Sequence, residues 1–154
     1  MVLGYLRARR AADPEDLLGE VFLQLVRDIR RFEGGASEFR SWVFVVAHHR
    51  FLDDVRSRRR RPVELASDED LERAGPTGDA QSEALLNLGW MEVRRLLEGL
   101  SEGQREVILL RVLGDMKVAE IAEALGRRPG AVQALLRRGL AALKKQIERK
   151  GVQI

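Results

Sequence analysis

Cysteine is absent from this 154-residue chain. That excludes disulfides and thiolate zinc sites, and it fits a reducing compartment. Histidine occurs only as His48 and His49. Adjacent residues on a helix point about 100° apart, so the pair is poorly placed to share one ion, and neither a metal site nor a cofactor is expected. Aromatic residues make up 5% of the chain against a hydrophobic total of 45%. With leucine, alanine and arginine dominant, that balance favours helices over a sandwich or barrel. No apolar run approaches the roughly 18 residues that would read as a membrane span. The start, Met1-Val2-Leu3-Gly4-Tyr5-Leu6-Arg7, lacks the apolar stretch of a secretory signal. The phosphate-binding Gly-x-x-x-x-Gly-Lys loop, the dinucleotide-binding Gly-x-Gly-x-x-Gly and the zinc-binding His-Glu-x-x-His are also missing. The expectation is a soluble, cytoplasmic protein that is not an enzyme and does not insert into a membrane.

Charge is present in quantity but unevenly placed. The formal net charge is only +3. From Arg127 to Lys150, however, eight bases (Arg127, Arg128, Arg137, Arg138, Lys144, Lys145, Arg149, Lys150) face one acid, Glu148. From Pro62 to Ala84 seven acids (Glu64, Asp68, Glu69, Asp70, Glu72, Asp79, Glu83) face one base, Arg73. A second basic run, Arg56-Ser57-Arg58-Arg59-Arg60-Arg61, precedes the acidic stretch. Two basic regions on either side of an acidic middle predict two polyanion-binding surfaces joined by a linker.

The periodicity predicts an all-α fold of two small helical modules. In the first, Asp13-Pro14 opens a helix in which Leu17, Leu18, Val21, Phe22, Leu25, Val26 and Ile29 recur at helical spacing and form the inward stripe. Asp16, Glu20, Gln24, Arg27 and Asp28 lie on the other face. Gly34-Gly35 interrupts it. A second helix is expected from about Ser37 to Arg58, with Phe39, Trp42, Val43, Val46, Leu52 and Val55 inward. Residues 62–82, with Gly75-Pro76 and no sustained period, read as a flexible acidic linker. The boundaries are thus 1–61, 62–82 and 83–150.

The second module opens with a helix whose stripe is Leu86, Trp90, Val93 and Leu97. Ser101-x-x-Gln104 is a capping-box signature for the next helix, and Gly114 stops it. Lys117–Ala142 is the most informative stretch. Ile121, Ala122 and Leu125 form one apolar stripe, Gly126 allows a left-handed turn, and Val132, Leu135 and Leu136 form a second stripe. Arg128, Gln133, Arg137 and Arg138 are left facing outward. This is the layout of a helix-turn-helix, whose second helix enters the DNA major groove.

Trp42 and Phe44, two residues apart on a helix, face different ways. One can pack inside while the other stays at the surface beside the arginine run. An exposed aromatic there can stack on an unpaired base, worth roughly 1–3 kcal/mol. Each arginine of the run can neutralise one phosphate.

Taken in order, several segments carry a family pattern: Asp13-Pro-Glu-Asp-Leu-Leu-Gly-Glu-Val-Phe-Leu-Gln-Leu, Phe39-Arg-Ser-Trp-Val-Phe-Val-Val-Ala, the arginine run, the acidic linker, Leu100-Ser-Glu-Gly-Gln-Arg-Glu-Val-Ile-Leu-Leu-Arg, and Ala119-Glu-Ile-Ala-Glu-Ala-Leu-Gly. The chain resembles the extracytoplasmic-function (ECF) group of bacterial RNA polymerase sigma factors from about Tyr5 to Leu143. The resemblance implies that Asp16, Glu20 and Gln24 dock on core RNA polymerase. It implies that Trp42, Phe44, His49, Arg56, Arg58, Arg59 and Arg60 act at the −10 element of promoter DNA. It assigns Arg128, Gln133, Arg137 and Arg138 to the −35 element, and it implies an anti-sigma partner. Arginine suits guanine or phosphate, and glutamine suits adenine.

The chain departs from the pattern at several positions. Gly19 replaces a glutamine on the docking face, Val45 a basic residue, His49 an asparagine and Lys117 a serine cap. Gln133-Ala134-Leu135 replaces a more basic or hydroxylated stretch. The residues alone also admit a stand-alone helix-turn-helix regulator, or a decoy that occupies an anti-sigma factor.

Overall fold

The computed structural model describes residues 1–60, 89 and 91–151. The linker 62–82, Arg61, Leu86 and Trp90 lie outside the described residues. Among the described residues every regular element is helical. In chain order they are α1 (Val2–Ala8), α2 (Pro14–Asp28), a single 3-10 turn (Ile29–Arg31), α3 (Ala36–Arg60), α4 (residues 91–98), α5 (Glu102–Val112), α6 (Val118–Leu125) and α7 (Pro129–Arg149).

Local chemistry sets most of the boundaries. The Asp13 carboxylate accepts the Asp16 backbone N–H at 3.1 Å and Pro14 occupies the first turn of α2, satisfying orphan donors where the dipole favours acid. Ser101 and Gln104 form the reciprocal capping box of α5, with bonds of 3.2 and 3.1 Å. Gly126 takes φ 63° and ends α6, and Arg127 N–H reaches back to the Ala122 carbonyl at 2.9 Å, as a left-handed helix stop requires. At the start of α6, Glu120 accepts the Lys117 backbone N–H at 2.8 Å. Lysine has no acceptor with which to return the favour.

In the first module, Tyr5 and Leu6 of α1 are fully buried against Leu17 and Val21 of α2 and Phe44, Ala47 and Phe51 of α3. Tyr5 meets Phe44 edge-on, with ring centroids 5.6 Å apart. In the second, Leu97 and Leu100 join Ile121, Ala122 and Val132 around α5. The six consecutive α5 residues from Arg105 to Leu110 are all buried, so that helix is covered on every side. The end of α4 and its turn cover Arg105, which donates to the Leu97 and Leu100 carbonyls, Arg9 and His48 cover Glu106, and the buried residues of both modules join in one cluster.

Two expectations about the inward stripes need correction. On α2, Leu17 and Val21 are buried, but Phe22, Val26 and Ile29 are exposed along with Leu23. The seven apolar positions span more of the helix circumference than α1 and α3 cover, so three of them, Phe22, Val26 and Ile29, face solvent. On α3, Phe39 is exposed rather than inward, although Val46 is buried. Phe39 sits in the first turn, where its ring packs on Phe32 and Trp42 and not in the core.

Candidate nucleic-acid interface

The helix-turn-helix is built as its spacing predicts. Ile121, Ala122 and Val132 are buried, and Leu125, Leu135 and Leu136 are half-buried around them. Ala122 presents only a methyl group where α6 and α7 meet, so the helices approach closely. Arg128, Gln133, Arg137 and Arg138 are all exposed. On α7, positions 133 and 137 are one turn apart and share a face, with 138 adjacent. Lys144 and Lys145 continue the exposed positive charge toward the C-terminus of the helix. The surface is a preformed helix carrying cations and one amide, the groups that read base edges and phosphates.

The second basic surface is the end of α3, where Arg56, Arg58, Arg59 and Arg60 are exposed. Arg58 is 3.1 Å from Asp54 and Arg56 3.9 Å from Asp53, both one turn away. Such exposed pairs contribute little to stability and can be exchanged for phosphates. Arg59 and Arg60 have no acidic partner among the described residues. Asp53, Arg56, Ser57 and Arg60 line an open cleft there of about 390 Å³.

The aromatic pair divides as expected, and the structure settles which member is inside. Two helical positions rotate the side chain by about 200°. Phe44 therefore points into the core at 2% exposure, against Tyr5 and near Gly114, and is not available to a base in this arrangement. Its assignment to the −10 surface conflicts with that burial. Trp42 is half-buried and belongs to an aromatic cluster that the sequence reading missed. Phe32 stacks on it at 5.0 Å and 18°, and Phe39 approaches edge-on at 5.8 Å. Asp28, Arg31, Phe32, Glu33 and Trp42 line a cleft of about 370 Å³. The available signal was Phe32 and Phe39 on either side of Gly34-Gly35, since the loop's reversal returns both to Trp42. The histidines divide in the same way: His49 is exposed and His48 is 2% exposed. Burial first, then the Arg9 guanidinium and His49, lower His48 to about 4.

On α2, Asp16 and Glu20 are exposed, with Gly19 between them. Phe22, Leu23 and Val26 adjoin them, giving a mixed acidic and apolar face. Gln24 is turned inward: its Oε1 accepts the Arg50 Nε–H at 2.6 Å. Among the described residues no cluster of three potential metal ligands occurs, and no helix is long and apolar enough to cross a membrane.

Comparison with known proteins places this geometry. Residues 1–61 match the family description Sigma-70 region 2, and residues 90–143 match Sigma-70, region 4. The chain is 32% identical to the ECF RNA polymerase sigma factor ShbA of Streptomyces griseus, over 96% of this chain and 82% of that protein. The fold is similar to that of the sigma factor RpoE of Bartonella quintana, solved in complex with the anti-sigma factor NepR. The TM-score is 0.67 and the identity 17%, over 96% of this chain and 89% of that one. It is also similar to CnrH in complex with the cytosolic domain of CnrY, with a TM-score of 0.60 and 22% identity, over 96% and 82%. Two sigma-70 regions in the right order, joined to a relative that matches nearly end to end, mean that this chain belongs to the ECF RNA polymerase sigma factors.

Proposed function

We propose that this sigma factor acts in the cytoplasm, binds core RNA polymerase through the exposed face of α2, and directs it to promoters that it reads with two separate modules. Residues 1–61 form the polymerase-docking and −10 module, 62–82 the linker, and 83–150 the −35 module. The observation that carries this reading is the presence in one chain of two exposed basic helical surfaces, Arg56–Arg60 on α3 and Arg128–Arg138 on α7, each preformed and neither resembling a catalytic site. The protein works by binding and performs no covalent chemistry of its own.

Asp16 and Glu20 supply charge to the polymerase contact, and Phe22, Leu23 and Val26 supply apolar area that is otherwise left in water. At the −10 element, Trp42 and the cleft beside Phe32 and Glu33 offer a stacking surface for an unpaired base, and Arg58, Arg59 and Arg60 neutralise backbone phosphates. His49 is placed to contact the same strand, whereas Phe44, buried against Tyr5, is left out of the contact. At the −35 element, Gln133, Arg137 and Arg138 face the bases or backbone, and Arg128 holds the start of the helix against a phosphate. An anti-sigma partner is part of the proposal, because a solved sigma factor of the same fold is in complex with one.

The test is gel filtration of the chain with core RNA polymerase in competition with a housekeeping sigma factor, followed by run-off transcription. Co-elution that the competitor displaces, with new start sites, is expected. A folded chain that never co-elutes overturns the reading and favours a stand-alone regulator or a decoy.

A further inference from the structure

Four leucines lie on α7. Three of them, Leu135, Leu136 and Leu143, pack against the core. The fourth, Leu140, is 54% exposed. The seating of α7 on α5 turns it outward. Gly139 is buried there, and a Cβ on it would meet the Ile108 side chain at 2.5 Å. The next residue lies about 100° further round the helix and so leaves the core.

Leu140 falls in one row with Gln133, Arg137 and Lys144, at spacings of four, three and four residues, and all four are exposed. Arg137 lies a turn before it and Lys144 a turn after it. The one acid of the helix, Glu148, is beyond Lys144 and 3.9 Å from it. Cations on both sides suit a polyanion, so the charge of the row selects what covers Leu140. That occupant is the DNA that Gln133 and Arg137 already face.

We propose that Leu140 is a specificity-determining residue of the −35 surface, packing on the C5-methyl group of a thymine about three base pairs from the pair that Gln133 reads. The proposal rests on the promoter reading above and adds a base preference to it. Thymine is the base that shows a methyl group in the major groove, and an apolar side chain recognises it by contact. Cytosine is rejected by the same side chain, because its N4 amine would lose water and gain no acceptor. The distance follows from helix geometry. Gln133 and Leu140 are two turns apart, about 10.5 Å at roughly 1.5 Å per residue. That is about three base-pair steps of roughly 3.4 Å. Positions at i, i+4 and i+7 of a recognition helix can all face one major groove. Gln133 then suits an adenine, Leu140 a thymine, and Arg137 between them a guanine or a phosphate.

Duplexes enriched from a randomised pool by the chain bound to core polymerase supply the −35 sequence. Loss of one adenine preference in Gln133→Ala marks where the helix lies on it. Each thymine is then replaced in turn by deoxyuridine, which removes the methyl group and leaves the pairing intact. At one thymine about three pairs from that adenine, affinity is expected to fall about 4-fold, the equivalent of one buried carbon at about 0.8 kcal/mol. In Leu140→Ala the same replacement should change nothing, and Leu140→Met should restore the sensitivity. Leu140 is exposed, so both variants keep the fold, which far-UV circular dichroism checks. Equal deoxyuridine sensitivity in the original chain and in Leu140→Ala, or no sensitive thymine at all, overturns the proposal and leaves the −35 reading standing. Leu140→Ala with unchanged DNA binding and weaker binding to core polymerase also overturns it, and assigns Leu140 to a protein contact. A pool in which no −35 sequence is enriched overturns the −35 reading and the Leu140 proposal together.

Discussion

A methyl group on Gly114 would sit 2.6 Å from the Leu110 carbonyl oxygen and 3.3 Å from the Phe44 ring. The turn after α5 thus passes close to its own helix and to α3 of the other module, and only a residue without a side chain fits. Gly114→Ala is expected to destabilise the protein by about 1–3 kcal/mol through overpacking, read as a lower denaturant midpoint at an unchanged m-value. An unchanged midpoint would mean that the turn relaxes freely.

Gly19 poses the opposite case. Nothing lies within 4 Å of a Cβ built there, and the position is exposed between Asp16 and Glu20 on α2. Gly19→Gln should stabilise the helix by up to ~1 kcal/mol and tighten binding to core polymerase. Calorimetric titration against core would show the gain. A stabilised variant with unaltered core affinity would remove this face from the docking surface.

Acid should loosen the buried contacts around His48. His48 is lowered to about 4 from its ordinary 6.5 by burial, by Arg9 and by His49. The groups facing it are Tyr5 and Arg9 from α1, His49 from α3 and Glu106 from α5. Burial also pushes the Tyr5 hydroxyl up to about 12, so it stays protonated throughout. A depressed histidine contributes stability that is fully present above pH 6.5 and is lost as pH falls toward and through 4. The loss is on the order of 3 kcal/mol. Denaturant melts at pH 7.5 and 4.5 should therefore differ, and His48→Gln should reduce the difference. An equal pH dependence in that variant would assign the effect to other groups.

On α7, Arg137→Ala should weaken binding to a −35 duplex and lower the slope of log affinity against log salt by about 1 if the contact is to phosphate. If Arg137 reads a base instead, the slope holds and sequence discrimination at one position falls by about 1–3 kcal/mol. Fluorescence anisotropy at several salt concentrations separates the two. No change in either would take Arg137 out of the interface.

The helices from Pro14 onward and the helix-turn-helix are legible in the sequence, whereas α1 (Val2–Ala8) carries no start signal that marked it. The Asp13-Pro14 start, the Ser101–Gln104 box, the Gly126 stop and the Ile121–Val132 stripes depend on neighbours within a turn or two, and local rules govern such short-range chemistry. The sequence also determined that Arg128, Gln133, Arg137 and Arg138 face outward, because their period leaves them no other side. The rest follows from packing between segments far apart in the chain. Arg105 and Glu106 read locally as a solvated helix face, yet both are buried: Arg105 folds back on the Leu97 and Leu100 carbonyls, and Glu106 is met by Arg9, nearly a hundred residues earlier. Phe22 and Val26 read as core yet stay in water, because an apolar period says that a stripe exists and not how much of it another helix covers. Trp42 and Phe44 were distinguishable as opposite faces. Which of them is buried depended on Tyr5, held against Phe44 by a contact that no pattern along the chain encodes.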